Sequence, residues 1–368
     1  MFLIKLGNQD KIDAIIKKLL LIFMVVVVTA ASFCGFFSKW SFRDDAGKSF
    51  GIGAMIEGTA NRPFVYRQLL PTTAKAIVSF LPEKSKEKLE ENLEKRQPAE
   101  SVYARSQAPA QYRIEYYLMM VFCYGCLVAS TWIFRSILCE VWKDKAAGTL
   151  GALLFALLMP FFETLGGYYY DFPELLFFAL AVRFALKGRW LAFCILVPIA
   201  TMNKEAFFFF IPTLYPFFRQ HFGRRGSGIL VMAGLLFSGL AYLFVRQHYI
   251  GNAGGMVQFS LFDHFAKLFQ LRTYYVTSTT YGLPLGAQMF FLHIIFVWWI
   301  ARQSWNQLSA MWKLHAKIAL TITVPLFWLF CAPGELRNLS FLYMTFGVMI
   351  SYLIHALLKK QYMESNAD

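Results

Sequence analysis

Long apolar runs, separated by short polar segments, follow one another along nearly the whole chain. A helix that crosses a lipid bilayer needs about 20 apolar residues, and several runs approach that length. Because lipid offers no hydrogen-bond partners to the backbone, the runs predict an all-α, polytopic transmembrane helix bundle. About ten spans are predicted, in one membrane domain over residues 1–368: 19–37, 116–139, 148–166, 172–186, 190–201, 206–218, 228–245, 283–300, 318–330 and 342–358.

Basic residues predict the orientation of these spans. Lysine and arginine are retained in cytoplasmic loops, and a ten-span order brings five basic loops to one side. Both termini are therefore expected in the cytoplasm. The first run resembles a signal peptide, but it is long and has no A-x-A cleavage site, so we expect it to be retained. The five loops contain Lys143/Lys145, Lys187/Arg189, Arg219/Arg224/Arg225, Lys313/Lys317 and Lys359/Lys360.

Two long segments, 39–113 and 247–281, are predicted on the outer face. Within the first, 63–81 is too polar to span easily and predicts a re-entrant or interfacial helix. The Lys/Glu alternation of 83–96 predicts a solvated helix. Within the second, 259–275 carries Phe, Leu and Tyr at helical spacing and predicts an amphipathic interfacial helix.

The composition excludes several other classes of protein. Of 368 residues, 57% are hydrophobic, 18% are aromatic and only 16% are charged, whereas soluble domains carry about 25% charged residues. The net charge of +14 would indicate nucleic-acid binding in a soluble protein. Here many basic residues lie between apolar runs, where they set topology and contact anionic headgroups. Membrane lipids, and no nucleic acid, are the expected partners.

The six cysteines indicate little chemistry. Cys123 and Cys126 form a C-x-x-C motif that could suggest a redox or zinc site, but no second pair and no neighbouring histidine cluster accompanies it. Cysteine within an apolar helix acts as a small hydrophobic residue.

Charged side chains at membrane depth are costly unless paired or hydrated, so each marks a candidate site. Five polar clusters, at 43–45, 62–67, 168–174, 203–205 and 334–338, are all predicted on the outer face. The opposite face carries only basic loops. This asymmetry predicts a water-accessible cavity of mixed charge that opens outward. A transport path would instead be lined through its whole depth.

The first two clusters each allow a functional and a structural interpretation. Asp44 and Asp45 can coordinate a divalent cation such as Mg²⁺ or Mn²⁺, or one can act as a general base. They can equally belong to a solvated loop. Arg62 and Arg67 can hold a phosphate near the N-terminus of a helix, or extend along the membrane interface.

The other three clusters allow the same choice. Asp171 can cap a helix whose first turn contains Glu174, and Tyr170 can be an ordinary interfacial tyrosine. Residues 203–205 separate two apolar arms of about 12–13 residues, too short to cross a bilayer, so their turn is expected inside a cavity. Glu335 and Arg337 follow a Pro-Gly pair that ends a helix, and they can face inward or form an interfacial loop.

Four stretches, together with the Asp pair, resemble the GT-C superfamily of polytopic glycosyltransferases, especially poorly characterised bacterial members. These stretches are RPFVYRQLLP (62–71), YYYDFPELLFFALAV (168–182), LVPIATMNKEAFFFFIP (196–212) and GELRNLSFLY (334–343). The resemblance implies inverting sugar transfer from a polyprenyl-phosphate-linked donor to a cell-envelope glycan or lipid acceptor. It places the chemistry on the outer face of the bacterial inner membrane.

The resemblance also implies roles for individual residues. Asp44 or Asp45 would act as the base on the acceptor hydroxyl, with no cofactor required and Mg²⁺ or Mn²⁺ compatible with the pair. The remaining candidates would bind substrate. The basic ones, which would hold the lipid phosphate, are Arg62, Arg67, Lys204 and Arg337; those that would bind sugar hydroxyls or orient the cations are Asp171, Glu205 and Glu335; the others are Tyr170, Glu174 and Asn203.

Three other functions stay open at this stage. An O-antigen or exopolysaccharide polymerase or ligase would use a polyprenyl-diphosphate glycan and is expected to work without the Asp pair. A lipid-linked-sugar flippase or transporter would tolerate its loss. A scaffold in envelope assembly would have no catalysis at all.

Overall fold

The structure is a computed structural model that describes residues 2–42, 50–95, 110–164, 166–255, 259–270, 277–287 and 291–365. Within these ranges the chain forms a bundle of helices, as the apolar runs predict. The first half forms α1 (Phe2–Trp40), α2 (Ile52–Glu57), α3 (Leu69–Ser79), α4 (Glu83–Lys95), α5 (Arg113–Trp142), α6 (Lys145–Phe162) and α7 (Asp171–Leu186). The second half forms α8 (Trp190–Asn203), α9 (Phe207–Phe210), α10 (Tyr215–His248), α11 (Leu261–Leu268), α12 (Phe291–Ser304), α13 (Ala310–Phe330) and α14 (Tyr343–Ser365). Short 3₁₀ helices cover Phe64–Tyr66, Ala110–Tyr112, Ile211–Leu214, Trp305–Gln307 and Leu336–Leu342.

Several helices are suited to lipid rather than water. Large apolar side chains on their surfaces point outward, including Phe23 (64% exposed) and Phe244 (75% exposed), which lipid tolerates and water does not. The chain is therefore a multi-pass helical membrane protein. Six helical segments of the described ranges are long and apolar enough to cross a membrane: Lys11–Trp40, Arg113–Trp142, Lys145–Phe162, Phe207–His248, Ala310–Phe330 and Leu336–Ser365.

Gly223 divides α10 into two arms. Its backbone has φ +63° and ψ −170°, which breaks the helix and favours glycine. Before the break, His221 Nε2 lies 2.9 Å from the Leu186 carbonyl oxygen. After it, Tyr242 packs edge-to-face on Tyr66, with ring centroids 5.8 Å apart. The break falls between the two spans predicted at 206–218 and 228–245.

A two-stranded hairpin corrects one predicted span and adds a small sheet to the all-α prediction. Strands β1 (Thr277–Thr280) and β2 (Leu283–Ala287) pair antiparallel. The span predicted at 283–300 therefore begins with a strand, and its helix, α12, starts only at Phe291. The segment LPLGA contains Pro and Gly, which disfavour a helix interior. These two residues were the sign in the sequence that the helix begins later.

The polar segments of the first half depart partly from prediction. Residues 63–81 were predicted as one helix, but a 3₁₀ turn at Phe64–Tyr66 precedes α3, which starts at Leu69. Arg67 therefore lies in the bend before α3 and not in its first turn. Helix α4 has no buried residue, as predicted for a solvated helix. Helix α11 covers Leu261–Leu268 of the predicted amphipathic segment.

The helices α1, α6 and α13 bring their C-terminal ends to the same end of the bundle. Trp40 Nε1 donates to the Glu163 carbonyl oxygen at 2.7 Å. The Thr164 hydroxyl donates to the carbonyl oxygen of Gly334. The N-terminus of α7 lies here as well, because Asp171 contacts Arg337. We call this the cluster end.

The opposite end of the bundle contains the basic loops between α5 and α6 and between α7 and α8. Glu140 pairs with Arg183 and Lys187, at 2.6 Å each. Asp144 pairs with His355 of α14 at 2.7 Å. We call this the basic end.

Candidate functional site

Four segments that are distant in sequence meet at the cluster end. They are the bend at Arg67, the first turn of α7, the turn between α8 and α9, and the loop before α14. Together they bring three cations and four carboxylates into two sets of ion pairs that meet at the ring of Tyr170. We call these seven residues the ion cluster: Arg67, Asp171, Glu174, Lys204, Glu205, Glu335 and Arg337.

Asp171 is the centre of the deep half of the ion cluster. Arg337 Nη1 donates to both of its carboxylate oxygens, at 3.0 and 2.9 Å. Lys204 Nζ lies 3.4 Å from Asp171 Oδ1 and 2.8 Å from Glu174 Oε2. These side chains are only 5–6% exposed. Because removing one partner of a buried pair leaves an uncompensated charge, each charged group of this half depends on its partners to stay buried.

The outer half of the ion cluster is an arginine fork. Arg67 donates through Nη2 to Glu205 Oε1 at 2.7 Å and through Nε to Glu205 Oε2 at 3.2 Å. The two side chains are 12% and 27% exposed, so this pair forms the accessible edge of the cluster. Burial raises the pKa of Glu205, but the charge and hydrogen bonds of Arg67 outweigh it, and the pKa is lowered. Glu205 is accordingly a carboxylate at neutral pH.

Two tyrosines link the deep and outer halves. The rings of Tyr168 and Tyr170 stack with centroids 5.0 Å apart and an angle of 8° between their planes. The Arg337 guanidinium lies 4.4 Å from the Tyr168 ring centroid, and that of Arg67 lies 4.5 Å from Tyr170. At such distances the ring faces attract the cations. Arg67 also donates a hydrogen bond to the Tyr170 hydroxyl.

The loop before α14 holds Glu335 toward the cluster. Arg337 Nη2 lies 3.2 Å from Glu335 Oε1, while Asn338 Nδ2 donates to Glu335 Oε2 at 2.9 Å. Gly334, with φ +97°, makes the tight turn that this loop requires. The predicted inward orientation of Glu335 and Arg337 is therefore present, and Arg337 is buried.

Most predicted substrate-binding residues come together in this way. Asn203 adds to them, since its Nδ2 donates to the Tyr170 carbonyl oxygen at 2.9 Å. The interpretation of Asp171 as an N-cap is wrong: Tyr170 occupies that position, and Asp171 is the first helical residue, where its carboxylate accepts from Tyr168 N at 3.0 Å. The residues brought together are Arg67, Tyr170, Asp171, Glu174, Asn203, Lys204, Glu205, Glu335 and Arg337.

Arg62 lies apart from the ion cluster. Arg62 Nη2 donates to the Gly254 carbonyl oxygen at 2.7 Å, so it ties two outer segments together. Asp44 and Asp45 lie outside the described residues. The residues that flank segment 43–49 do contact the tyrosines: the Phe42 ring is 6.2 Å from Tyr169, and the Phe50 ring is 6.0 Å from Tyr168.

Other predicted chemistry has a simple structural explanation. Cys123 and Cys126 are free thiols on α5, and Cys123 Sγ donates to the Tyr169 carbonyl oxygen at 3.2 Å. Within the described ranges, no group of three or more His, Cys, Asp or Glu side chains is arranged to hold a metal ion. The carboxylates of the ion cluster are paired instead with lysine and arginine.

Sequence reasoning missed two residues of this site. Tyr168 supplies the ring under Arg337, and an interfacial tyrosine gives no signal for that role. Glu163 is buried beside the deep half, at the end of α6. Its signal in the sequence was a lone carboxyl group at the end of an apolar run, which marks a candidate site for the same reason as the five polar clusters.

The chain matches no known family model, no curated protein and no solved structure.

Proposed function

We propose that the chain is an inverting membrane glycosyltransferase of GT-C type, which moves a sugar from a polyprenyl-phosphate donor to a cell-envelope glycan or lipid. One observation carries the proposal: the buried charged side chains of the described ranges all lie at the cluster end. A site confined to one end suits chemistry on one membrane face, whereas a flippase needs polar lining through its depth. These residues are Glu115, Glu163, Asp171, Glu174, Lys204 and Arg337.

The arginine fork is suited to the lipid phosphate. Guanidinium groups bind phosphate and carboxylate by the same bidentate geometry, so a donor phosphate can replace Glu205 on Arg67. Glu205 is then free to accept a hydrogen bond from a sugar hydroxyl. Lys204 and Arg337 are held by Asp171 and Glu174. A single cluster arginine at the accessible edge favours a monophosphate donor over a diphosphate.

In the proposed reaction, the acceptor hydroxyl attacks the anomeric carbon of the donor sugar. Asp44 or Asp45 takes the hydroxyl proton, and the bond from the anomeric carbon to the phosphate oxygen breaks. Polyprenyl phosphate leaves with the negative charge, which Arg67 stabilises in a low-dielectric setting. Attack opposite to the leaving group inverts the anomeric configuration.

The proposal also includes a membrane topology. The chain makes ten passes through a bacterial inner membrane, with both termini and the basic end in the cytoplasm and the cluster end outside. Single cysteines test this in a cysteine-free background. Ser85→Cys on α4 should react with a membrane-impermeant maleimide in intact spheroplasts, and Lys143→Cys should react only after lysis. The reverse pattern would refute the orientation.

The activity test is transfer of radiolabelled sugar from a panel of polyprenyl-phosphate sugars in proteoliposomes. Loss of the base should reduce transfer by about 10²–10⁴-fold in Asp44→Asn or Asp45→Asn. Arg67→Gln should cost about 10²–10³-fold by loss of charge stabilisation. Arg183→Gln, which alters a pair at the basic end, is the matched control and should transfer normally.

Each alternative function gives a different result in this assay. Consumption of diphosphate-linked glycans with no transfer from any monophosphate would identify a polymerase or ligase. Movement of labelled donor between leaflets without transfer, unaffected by the Asp substitutions, would identify a flippase.

A further inference from the structure

A small cavity lies on the inner side of the ion cluster. Its volume is about 10 Å³, which is room for a single water molecule. Its polar lining consists of Glu163, Asp171, Glu174, Arg337, Ser340 and Tyr343. None of the proposed catalytic steps uses this cavity or Glu163.

Three residues that line the cavity carry a buried polar atom without a partner in the described part of the chain. The atoms are Glu163 Oε2, Glu174 Oε1 and Arg337 Nε. All three residues are 4–5% exposed. Arg337 Nε is a donor, and Glu174 Oε1 belongs to the carboxylate that pairs with Lys204. A buried polar atom left without a partner is costly, so three beside one water-sized cavity indicate a bound water.

The charges around the cavity do not balance. Three carboxyl groups, those of Glu163, Asp171 and Glu174, face two cations, Lys204 and Arg337. One negative charge would remain if all were ionised, and Glu335, which also pairs with Arg337, adds another. Lys39 is the next cation, but its amine bonds to the Pro160 carbonyl and the Thr280 hydroxyl, at 3.4 Å each. Within the described ranges, Glu163 forms no ion pair.

We propose that Glu163 is a proton-binding residue, whose carboxyl group is protonated at neutral pH and donates to a water molecule in this cavity. The water accepts from Glu163 and from Arg337 Nε, and it donates to Glu174 Oε1. All three unpaired atoms then have partners, and the three carboxyl groups around the cavity carry two negative charges, which match the two cations.

The electrostatics of the site act in the same direction. Burial raises the pKa of Glu163 well above its usual range, and the charge of Asp171 raises it further. The charges of Arg337, Lys204 and Lys39 oppose this shift without cancelling it.

Infrared spectroscopy tests the proposal directly, independently of sugar transfer. The wild-type protein at neutral pH should show the carbonyl stretch of a protonated carboxyl group, and Glu163→Gln should lack it. Glu87→Gln on the solvated helix α4 is the matched control and should leave this band unchanged. A wild-type protein without the band, or a band that survives Glu163→Gln, would overturn the proposal.

A second variant covers the case in which Glu163→Gln does not fold. Glu174→Gln removes one of the negative charges around the cavity, so Glu163 should release its proton more readily and the band should disappear at a lower pH than in the wild type. An unchanged band would contradict the arrangement. Thermal stability in NaCl against choline chloride supplies a further criterion. Stabilisation by sodium that disappears in either variant would mean that the cavity binds a cation and not a proton.

The raised pKa of Glu163 also gives a pH dependence with a defined sign. Between the unfolded value near 4.5 and the raised folded value, the unfolded chain releases this proton while the folded chain keeps it. The stability contributed by Glu163 is full below that window and falls as the pH rises through it. The Tm of Glu163→Gln relative to wild type should therefore increase from pH 5 to pH 9. A constant difference would contradict the proposal.

Discussion

The two ends of the bundle hold their helices together by different means. At the cluster end, Asp171 and Arg337 are about 95% removed from solvent, and each needs the other to stay buried. At the basic end, the pairs of Glu140 with Arg183 and Lys187 are 29–47% exposed, so water can replace either partner. Removing one charged group should therefore lower the free energy of unfolding strongly at the cluster end and only slightly at the basic end.

The largest expected effect is at the cluster end. Arg337→Gln leaves Asp171 with Lys204 as its remaining cationic partner and should destabilise the protein by about 3–5 kcal/mol. Arg183→Gln is the matched control, since it removes an arginine from an exposed pair and should cost at most about 1 kcal/mol. Unfolding of the purified variants in lipid nanodiscs measures both. Equal losses of stability in Arg337→Gln and Arg183→Gln would contradict the difference between the two ends.

At the basic end, the largest loss of stability is expected where the backbones of α5 and α6 pack closely together. A Cβ atom on Gly148 would lie 2.6 Å from the backbone nitrogen of Cys139 and 2.8 Å from its Cα. Because a backbone cannot move aside as a side chain can, Gly148→Ala should cost about 1–3 kcal/mol. Gly239→Ala, where no atom lies within 4 Å of the new Cβ, should instead gain about 0.5–1 kcal/mol from helix propensity. A neutral Gly148→Ala would show that α5 and α6 can separate without cost.

Asp144 is the N-cap of α6, and its substitution is expected to cause the next largest loss of stability. Its carboxylate accepts from Ala146 N at 2.9 Å and Ala147 N at 3.0 Å. Asp144→Ala should cost about 1 kcal/mol, whereas Asp144→Asn keeps a capping oxygen and should cost less. The hydrogen bond from His355 lowers the pKa of Asp144. Its contribution is therefore complete above the unfolded value of 3.8 and is lost as the pH falls through the lower folded value. Acid unfolding of wild type and Asp144→Asn measures this difference.

The smallest effect is expected for Glu140→Gln. The exposed pairs with Arg183 and Lys187 are worth at most about 1 kcal/mol, and salt should erase the difference from wild type because it screens exposed charges. Unfolding at low and high ionic strength tests this. A loss that persists in concentrated salt would mean that the basic end is also buried, contrary to the comparison above.

Much of this architecture follows from the sequence, because lipid offers the backbone no hydrogen-bond partners and every span must therefore be an apolar helix. The apolar runs predicted the cluster-end limits of α5, α6 and α13 to within a few residues. The polar residues at 168–174, 203–205 and 334–338 also lie together, as predicted. Local turn chemistry was harder to predict. The strand at Leu283–Ala287 lies in a run that is apolar enough for a helix, because hydropathy measures burial and not backbone conformation.

The pairing inside the site could not be predicted from the sequence. Lys204 and Glu205 are neighbours in sequence and of opposite charge, yet Lys204 pairs with Glu174 and Glu205 pairs with Arg67. Adjacent residues at a helix end point in different directions, so each finds its partner on another segment. Only the tertiary arrangement decides which carboxylate meets which cation.

The separation of Asp171 and Arg337 by 166 residues has a consequence for synthesis. The ribosome delivers Lys204 33 residues after Asp171, so α7 and α8 can enter the membrane with one neutralising pair already in reach. Arg337 arrives only 166 residues after Asp171. The central carboxylate therefore waits for its second cation while α8 to α13 are made, and the loop before α14 completes the assembly of a site begun by α7 and α8.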